Sequence, residues 1–198
     1  MIIVVPYSVM IGINTALETF VSRAAGRNNL LDCGLYLHRS ILVITVLYIP
    51  VSLLLWNTEL LLVASGISQP SAQVAAVYCR TSLPGVLLNS YSDSIDLFLI
   101  PLGYSYSISL VQSLVIPVHI FFCYMFTGVV QWGVQGVAMA HNFTAFFTVL
   151  FLVMYVSSQR QIKEAWYFPT YRTFENLKEF LMIAAPGVFM LLIENTSM

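Results

Sequence analysis

Seven side chains in this sequence can carry charge or exchange protons from within long apolar stretches: Glu18, Arg80, Asp93, Asp96, His119, His141 and Glu194. An ionised group at membrane depth is costly, so it faces a bundle interior or an aqueous cavity and points to proton or ion handling. Glu194 follows an uninterrupted apolar run, Val188 to Ile193, where a carboxylate serves no packing purpose. It is the leading candidate for an ion- or substrate-coupling site. Glu18 has two readings, a functional carboxylate or an interfacial partner of Arg23. Asp93 and Asp96, at i and i+3, share one helix face and would resist ionising together if buried. They read either as a proton site or as water-contacting groups at the cytoplasmic end of their span. Arg80 reads as a partner for another span's carboxylate or as a side chain snorkelling to the outer interface. No carboxylate or second histidine stands at metal-ligand spacing from His119 or His141, which favours hydrogen-bonded interior histidines over ligands.

The elements that hold these groups follow from composition. Of 198 residues, 59% are hydrophobic and 9% charged, and the mean hydropathy is +0.83. Water-soluble domains carry roughly 25% charged residues, so lipid is the solvent for most of this chain. A bilayer core of about 30 Å asks for roughly 20 apolar residues per helix. Six stretches meet that need: about 2–21, 40–56, 71–100, 106–127, 134–156 and from 174 onward. Residues 57–70 form a short connection holding Leu60-Leu61-Leu62-Val63, one turn of helix at the interface. Met1 to Val5 lacks the positive region of a signal peptide, so the first span reads as permanent. The sequence predicts an all-α integral membrane protein of about six transmembrane helices.

Orientation follows from the basic residues. Arg23, Arg27 and Arg39 flank the connection after the first span, and Arg160, Lys163, Arg172 and Lys178 flank the one after the fifth. With five spans counted, both fall on one side, which the positive-inside rule makes cytoplasmic: loops 23–39 and 158–173. Small residues in the fifth span, Gly133, Gly136, Ala138 and Ala140, permit close helix approach, and Gly136 and Ala140 are expected in a helix interface.

Other chemistries find no support. A net charge of −1 without a basic tail argues against nucleic acid. Cys33, Cys79 and Cys123 lack the spacing of a disulfide framework or a zinc site, and Cys79 and Cys123 read as small core residues. There is no phosphate-cradling glycine loop, no Gly-x-Ser-x-Gly and no His-Glu-x-x-His, so neither an enzyme nor a cofactor is expected. Asn142-Phe-Thr144 and Asn195-Thr-Ser197 match the glycosylation pattern but lie inside spans and read as chance.

The segment Ala16-Leu-Glu-Thr-Phe20 with Ala24-Ala-Gly-Arg27 resembles the end of the second helix of eukaryotic multidrug and toxin extrusion (MATE) transporters. The likeness continues through Gly34-Leu-Tyr-Leu-His-Arg-Ser40, Tyr78 with Pro84, Trp132-Gly-Val-Gln-Gly-Val-Ala-Met-Ala-His-Asn142, and Ala185-Pro186 with Glu194. The resemblance implies helices two to seven of a two-lobed transporter: residues 1–173 as part of the first lobe, and residues 174–198 as the first helix of the second. It implies antiport of small amphipathic or cationic substrates against H+ or Na+, with Glu194 as the family's functional glutamate and Phe189 and Tyr91 in apolar walls. The remaining lobe or a partner subunit would complete the cleft, in the plasma or vacuolar membrane. The chain departs from the family at Asp93 to Tyr106, where Ser94-Ile-Asp-Leu-Phe-Leu-Ile-Pro101 stands in place of a basic or aromatic residue followed by a Leu-Gln-x-Gln-like segment and two aspartates, Asp93 and Asp96, are present, and again after Glu194. The alternative is a transport-incompetent structural or accessory subunit of a larger assembly.

Overall fold

The computed structural model describes residues 4–167, 171–174 and 177–196, with side chains from residue 8 to 167, at 171, 173 and 174, and from 177 to 190. The described residues form seven α-helices: α1 Val4–Gly26, α2 Leu30–Trp56, α3 Thr58–Ala64, α4 Gln69–Leu99, α5 Ser105–Cys123, α6 Gly133–Ser158 and α7 Leu177–Thr196. All but α3 are long. By length and apolarity α2, α6 and the span of α5 with its π-helical continuation, Ser105–Val129, could each cross a membrane. Helix α4 is longer still at 31 residues, but Arg80, Asp93, Asp96 and a series of serines make it less apolar.

Helices α1, α2, α4, α5 and α6 run alternately up and down, because the connections between them are short. Arg27 to Asn29 joins α1 to α2, and Ile100 to Tyr104 joins α4 to α5. The basic connection is therefore much shorter than residues 23–39. The helix of the second span starts at Leu30, not near Ser40, because the Asn29 side chain accepts from the Asp32 N–H at 3.2 Å and caps its first turn. Arg39 lies inside α2, 7% exposed, with its guanidinium 5.5 Å from the Tyr36 ring centre. The apolar run Leu60–Val63 forms the two-turn α3.

The connections at the basic end meet one another. Tyr104 donates to Gln161 Oε1 at 2.9 Å. The Tyr167 carbonyl accepts from His38 Nε2 at 2.6 Å, and the Tyr167 hydroxyl donates to the Leu31 carbonyl at 3.1 Å. Gly34 makes this strap possible, since a Cβ there would strike the Ala165 carbonyl oxygen. At the opposite end Arg80 Nε donates to the Trp56 carbonyl at 2.9 Å, its guanidinium pairs with Glu59 at 3.7 Å, and it lies over the Trp56 ring. Arg80 thus ties the end of α2 and the start of α3 to α4.

The most extensive helix pairings are α4 with α6 and α1 with α7. Gly12 of α1 faces Val188 of α7, where a Cβ would come within 2.6 Å of its backbone, and Gly187 faces Thr15 in return. Toward the basic end Phe20 stacks on both Tyr36 and Phe180, at 4.7 and 5.6 Å between ring centres. In α6, Ala138 and Ala140 are fully buried, and Gly136 admits the Phe126 carbonyl, 2.8 Å from where a Cβ would stand.

Candidate functional site

The polar interior is built on Asn14, set at mid-length in α1 and 1% exposed. Its carboxamide oxygen accepts from Ser40 of α2 at 3.0 Å and from Ser94 of α4 at 2.8 Å. Three helices thereby meet at one side chain. Ser94 also reaches the Ser90 carbonyl one turn back, at 2.9 Å, and Ser90 contacts Met10 Sδ at 2.8 Å. A buried polar group needs such partners, since leaving one unmet costs about 1–3 kcal/mol.

Beside this junction opens a cleft of about 300 Å³ lined by Ile11, Asn14, Asp93, Asp96 and Leu97. Both aspartates of α4 are half-buried and face this one cavity. Gln112 of α5 donates to Asp96 Oδ2 at 3.3 Å. Asp96 Oδ1 and Asn14 Nδ2 are buried without a hydrogen-bond partner among the described residues. The cleft is therefore flanked by two neighbouring carboxyl groups, with the unpartnered atoms of Asn14 and Asp96 buried behind its surface.

The other candidates lie apart. Glu18 is exposed, about two turns before the end of α1. Glu194 belongs to α7 by its backbone, and its side chain lies outside the described residues. Toward the far end of the bundle, His141 bonds Asn89 at 2.9 Å and His119 bonds Thr144 at 2.8 Å. Cys123, only partly buried, lies 3.4 Å from His119 Nε2, whereas Cys79 is buried. The described residues contain no group of three or more histidine, cysteine and acidic side chains able to hold a metal ion. Tyr91 bonds Thr45 at 2.8 Å, and Phe189 is 67% exposed.

Asn142 has a different task. Its amino group donates to the Thr81 carbonyl at 2.6 Å and its oxygen accepts from the Gly85 N–H at 2.9 Å, flanking Pro84 in α4. This engagement within a helix interface accounts for Asn142 without glycosylation; the second such motif, 195–197, lies outside the described side chains. Sequence reasoning missed Asn14, Gln112 and Asn142 as site or interface residues. For Asn14 the available signal was a lone carboxamide in an otherwise apolar helix, which in lipid demands a partner.

Comparison with known proteins agrees with this architecture. The MatE family profile matches residues 1–125. Protein DETOXIFICATION 17 of Arabidopsis thaliana is 25% identical over 188 residues, covering 95% of this chain and 40% of the relative. Protein DETOXIFICATION 51 of the same organism is 28% identical, covering 95% of this chain and 35% of its own length. The crystal structure of the eukaryotic MATE transporter AtDTX14 superposes with a TM-score of 0.88 at 22% identity, over 96% of this chain and 43% of that one. An inward-facing MATE transporter of the MOP superfamily superposes at 0.78 and 18% identity. The chain thus spans about two fifths of the length of the relatives it matches. With six long helices in the family's order and a match over more than half its length, the chain belongs to the MatE family of multi-pass membrane transporters.

Proposed function

We propose that this chain works as part of a two-lobed secondary antiporter that exports small amphipathic or cationic compounds in exchange for H+ or Na+. Residues 1–173 belong to the first lobe, and α7 opens the second. The basic end faces the cytoplasm, in either the plasma or the vacuolar membrane. The observation that carries the reading is the acidic cleft between α1 and α4, set in a helix arrangement shared with a eukaryotic MATE transporter.

The mechanism follows from charge in a medium of low dielectric. Glu194 binds a proton or a cationic substrate but not both, because one carboxylate neutralises one positive charge. Asp93, Asp96 and Glu18 give the cytoplasmic half of the path its preference for cations. A bound ion shifts inward- and outward-open states only through its different affinity for the two. The gradient therefore sets direction, while apolar walls including Phe189 and Tyr91 tolerate varied substrates.

The test is proton-driven efflux of a fluorescent organic cation in vesicles holding the complete parent protein. Glu194→Gln is expected to abolish efflux while expression and folding stay normal. Unchanged efflux would overturn the role of Glu194. A parent that folds and assembles but moves no cation would favour the structural-subunit reading.

A further inference from the structure

We propose that the pocket lined by Phe20, Arg23, Arg27, Tyr36 and Glu179 binds the phosphate of an anionic phospholipid in the leaflet at the basic end of the bundle. The pocket, of about 490 Å³, lies where the end of α1 meets the beginnings of α2 and α7. Arg23 and Arg27 stand one turn apart on α1, and both are exposed. Arg27 Nε donates to the Arg23 carbonyl at 3.3 Å, which leaves its terminal amino groups for another acceptor. Among the described residues neither arginine has a carboxylate within ion-pair distance. Asp32 of α2 is engaged by the Asn29 side-chain amide at 2.7 Å, and Glu179 is the acidic residue in the pocket lining.

Cations in the last turn of a helix serve its dipole with nothing but water around them. These two instead share the wall of a cavity with the stacked rings of Phe20 and Tyr36. Their planar forks suit phosphate oxygens, each able to donate two parallel hydrogen bonds. Two guanidiniums less one carboxylate leave one positive charge in the lining, which the single negative charge of a phosphodiester neutralises. A zwitterionic head such as phosphocholine leaves that surplus unmet. The setting favours a lipid over a soluble ester: Met182, three residues beyond Glu179 and so on the same face of α7, is 67% exposed and offers an acyl chain an apolar surface beside the head.

The inference rests on the membrane setting and not on antiport. Its test is native mass spectrometry of the complete protein carrying this chain, purified in detergent and titrated with dioleoylphosphatidylglycerol. A saturable adduct is expected, with dioleoylphosphatidylcholine weaker by about fivefold or more, the ratio that one basic residue contributes at a membrane surface. Arg23→Gln and Arg27→Gln should each weaken phosphatidylglycerol binding by about the same factor, and Arg23→Lys by less, because it keeps the charge and loses the fork. Glu179→Gln should strengthen it by about twofold or more, since it removes a negative charge beside the phosphate. Arg160→Gln, at the same end but outside the pocket, should leave it unchanged.

Equal binding of the two lipids, unaffected arginine variants, or weaker binding in Glu179→Gln would each overturn the proposal. Equal weakening by Arg160→Gln would do so too, by reducing the effect to diffuse attraction between basic residues and anionic lipid. Glycerol 3-phosphate separates the sources: failure to displace the lipid at a hundredfold excess supports the lipid head, and displacement at equal concentration would assign the pocket to a soluble phosphate ester and overturn the lipid.

Discussion

The carboxamide of Asn142, on α6, bonds both the carbonyl of Thr81 and the N–H of Gly85, an i, i+4 pair on α4. It takes the place of a helical rung at the point where Pro84, lacking an amide hydrogen, disturbs the ladder. Gly85 is required there, since any Cβ would strike Asn142 Oδ1. The backbone of α4 beside Pro84 thus finds hydrogen-bond partners on another helix.

Asn142→Leu leaves both backbone groups without this partner and is expected to destabilise the folded chain by about 1–3 kcal/mol. Gly85→Ala should cost a similar amount through overpacking, about 1–3 kcal/mol. Because both act on one contact, the double variant should lose less than the sum. Thermal exposure of the buried thiols Cys33 and Cys79 to a fluorogenic dye measures all three. Additive losses would show that Asn142 and Gly85 act separately.

At the opposite end, Arg80 and Glu59 form an ion pair with side chains 39% and 34% exposed. Such a pair contributes about 0–1 kcal/mol, so Glu59→Gln is expected to change the melting temperature little. Arg80→Lys removes more, because a lysine can reproduce neither the Nε bond to the Trp56 carbonyl nor the planar stacking on its ring. The expected order of melting temperatures is wild type, then Glu59→Gln, then Arg80→Lys. A reversed order of the two variants would make the ion pair the stronger tie.

These contacts mark what was legible in the sequence. Apolar runs and basic clusters reveal long helices and their alternation because each is a property of neighbouring residues. Arg39 was misplaced into a connection, since a cation after an apolar gap resembles a helix flank. Only the structure shows the Tyr36 ring beneath it and the Asn29 cap ahead of it. Asp93 and Asp96 could be placed on one helix face from their spacing alone. Their cleft could not, because Asn14 and Gln112 come from helices distant in the chain. Long-range partners of this kind leave no periodic trace.

Gly34 should matter beyond its helix. Gly34→Ala or Gly34→Val would push the Ala165 carbonyl away and break the strap that His38 and Tyr167 complete. The connection after α6 would then open more readily, and its exposed Arg160 and Lys163 would become faster trypsin sites. Limited proteolysis in detergent is expected to show cleavage there accelerated several-fold, with Val the stronger variant. Unchanged cleavage would mean that the 3-10 turn at Tyr171–Phe174, rather than the Gly34 contact, holds the connection.

Orientation can be tested with single cysteines in a background lacking Cys33, Cys79 and Cys123. Arg27, Ser65 and Lys163 are all exposed, and lie in or beside connections. The alternation of α1, α2, α4, α5 and α6 puts Arg27 and Lys163 at one end and Ser65 at the other. Excess Lys and Arg at an end favours the cytoplasm. In sealed cells, an impermeant maleimide should therefore label Ser65→Cys and spare Arg27→Cys and Lys163→Cys, with the pattern inverted in inside-out vesicles. For a vacuolar protein the same experiment uses intact vacuoles, where the cytoplasmic face is outward and the two basic positions label first. Labelling of Arg27 and Lys163 from opposite faces would require an odd number of crossings between them, and the bundle described here would then be wrong.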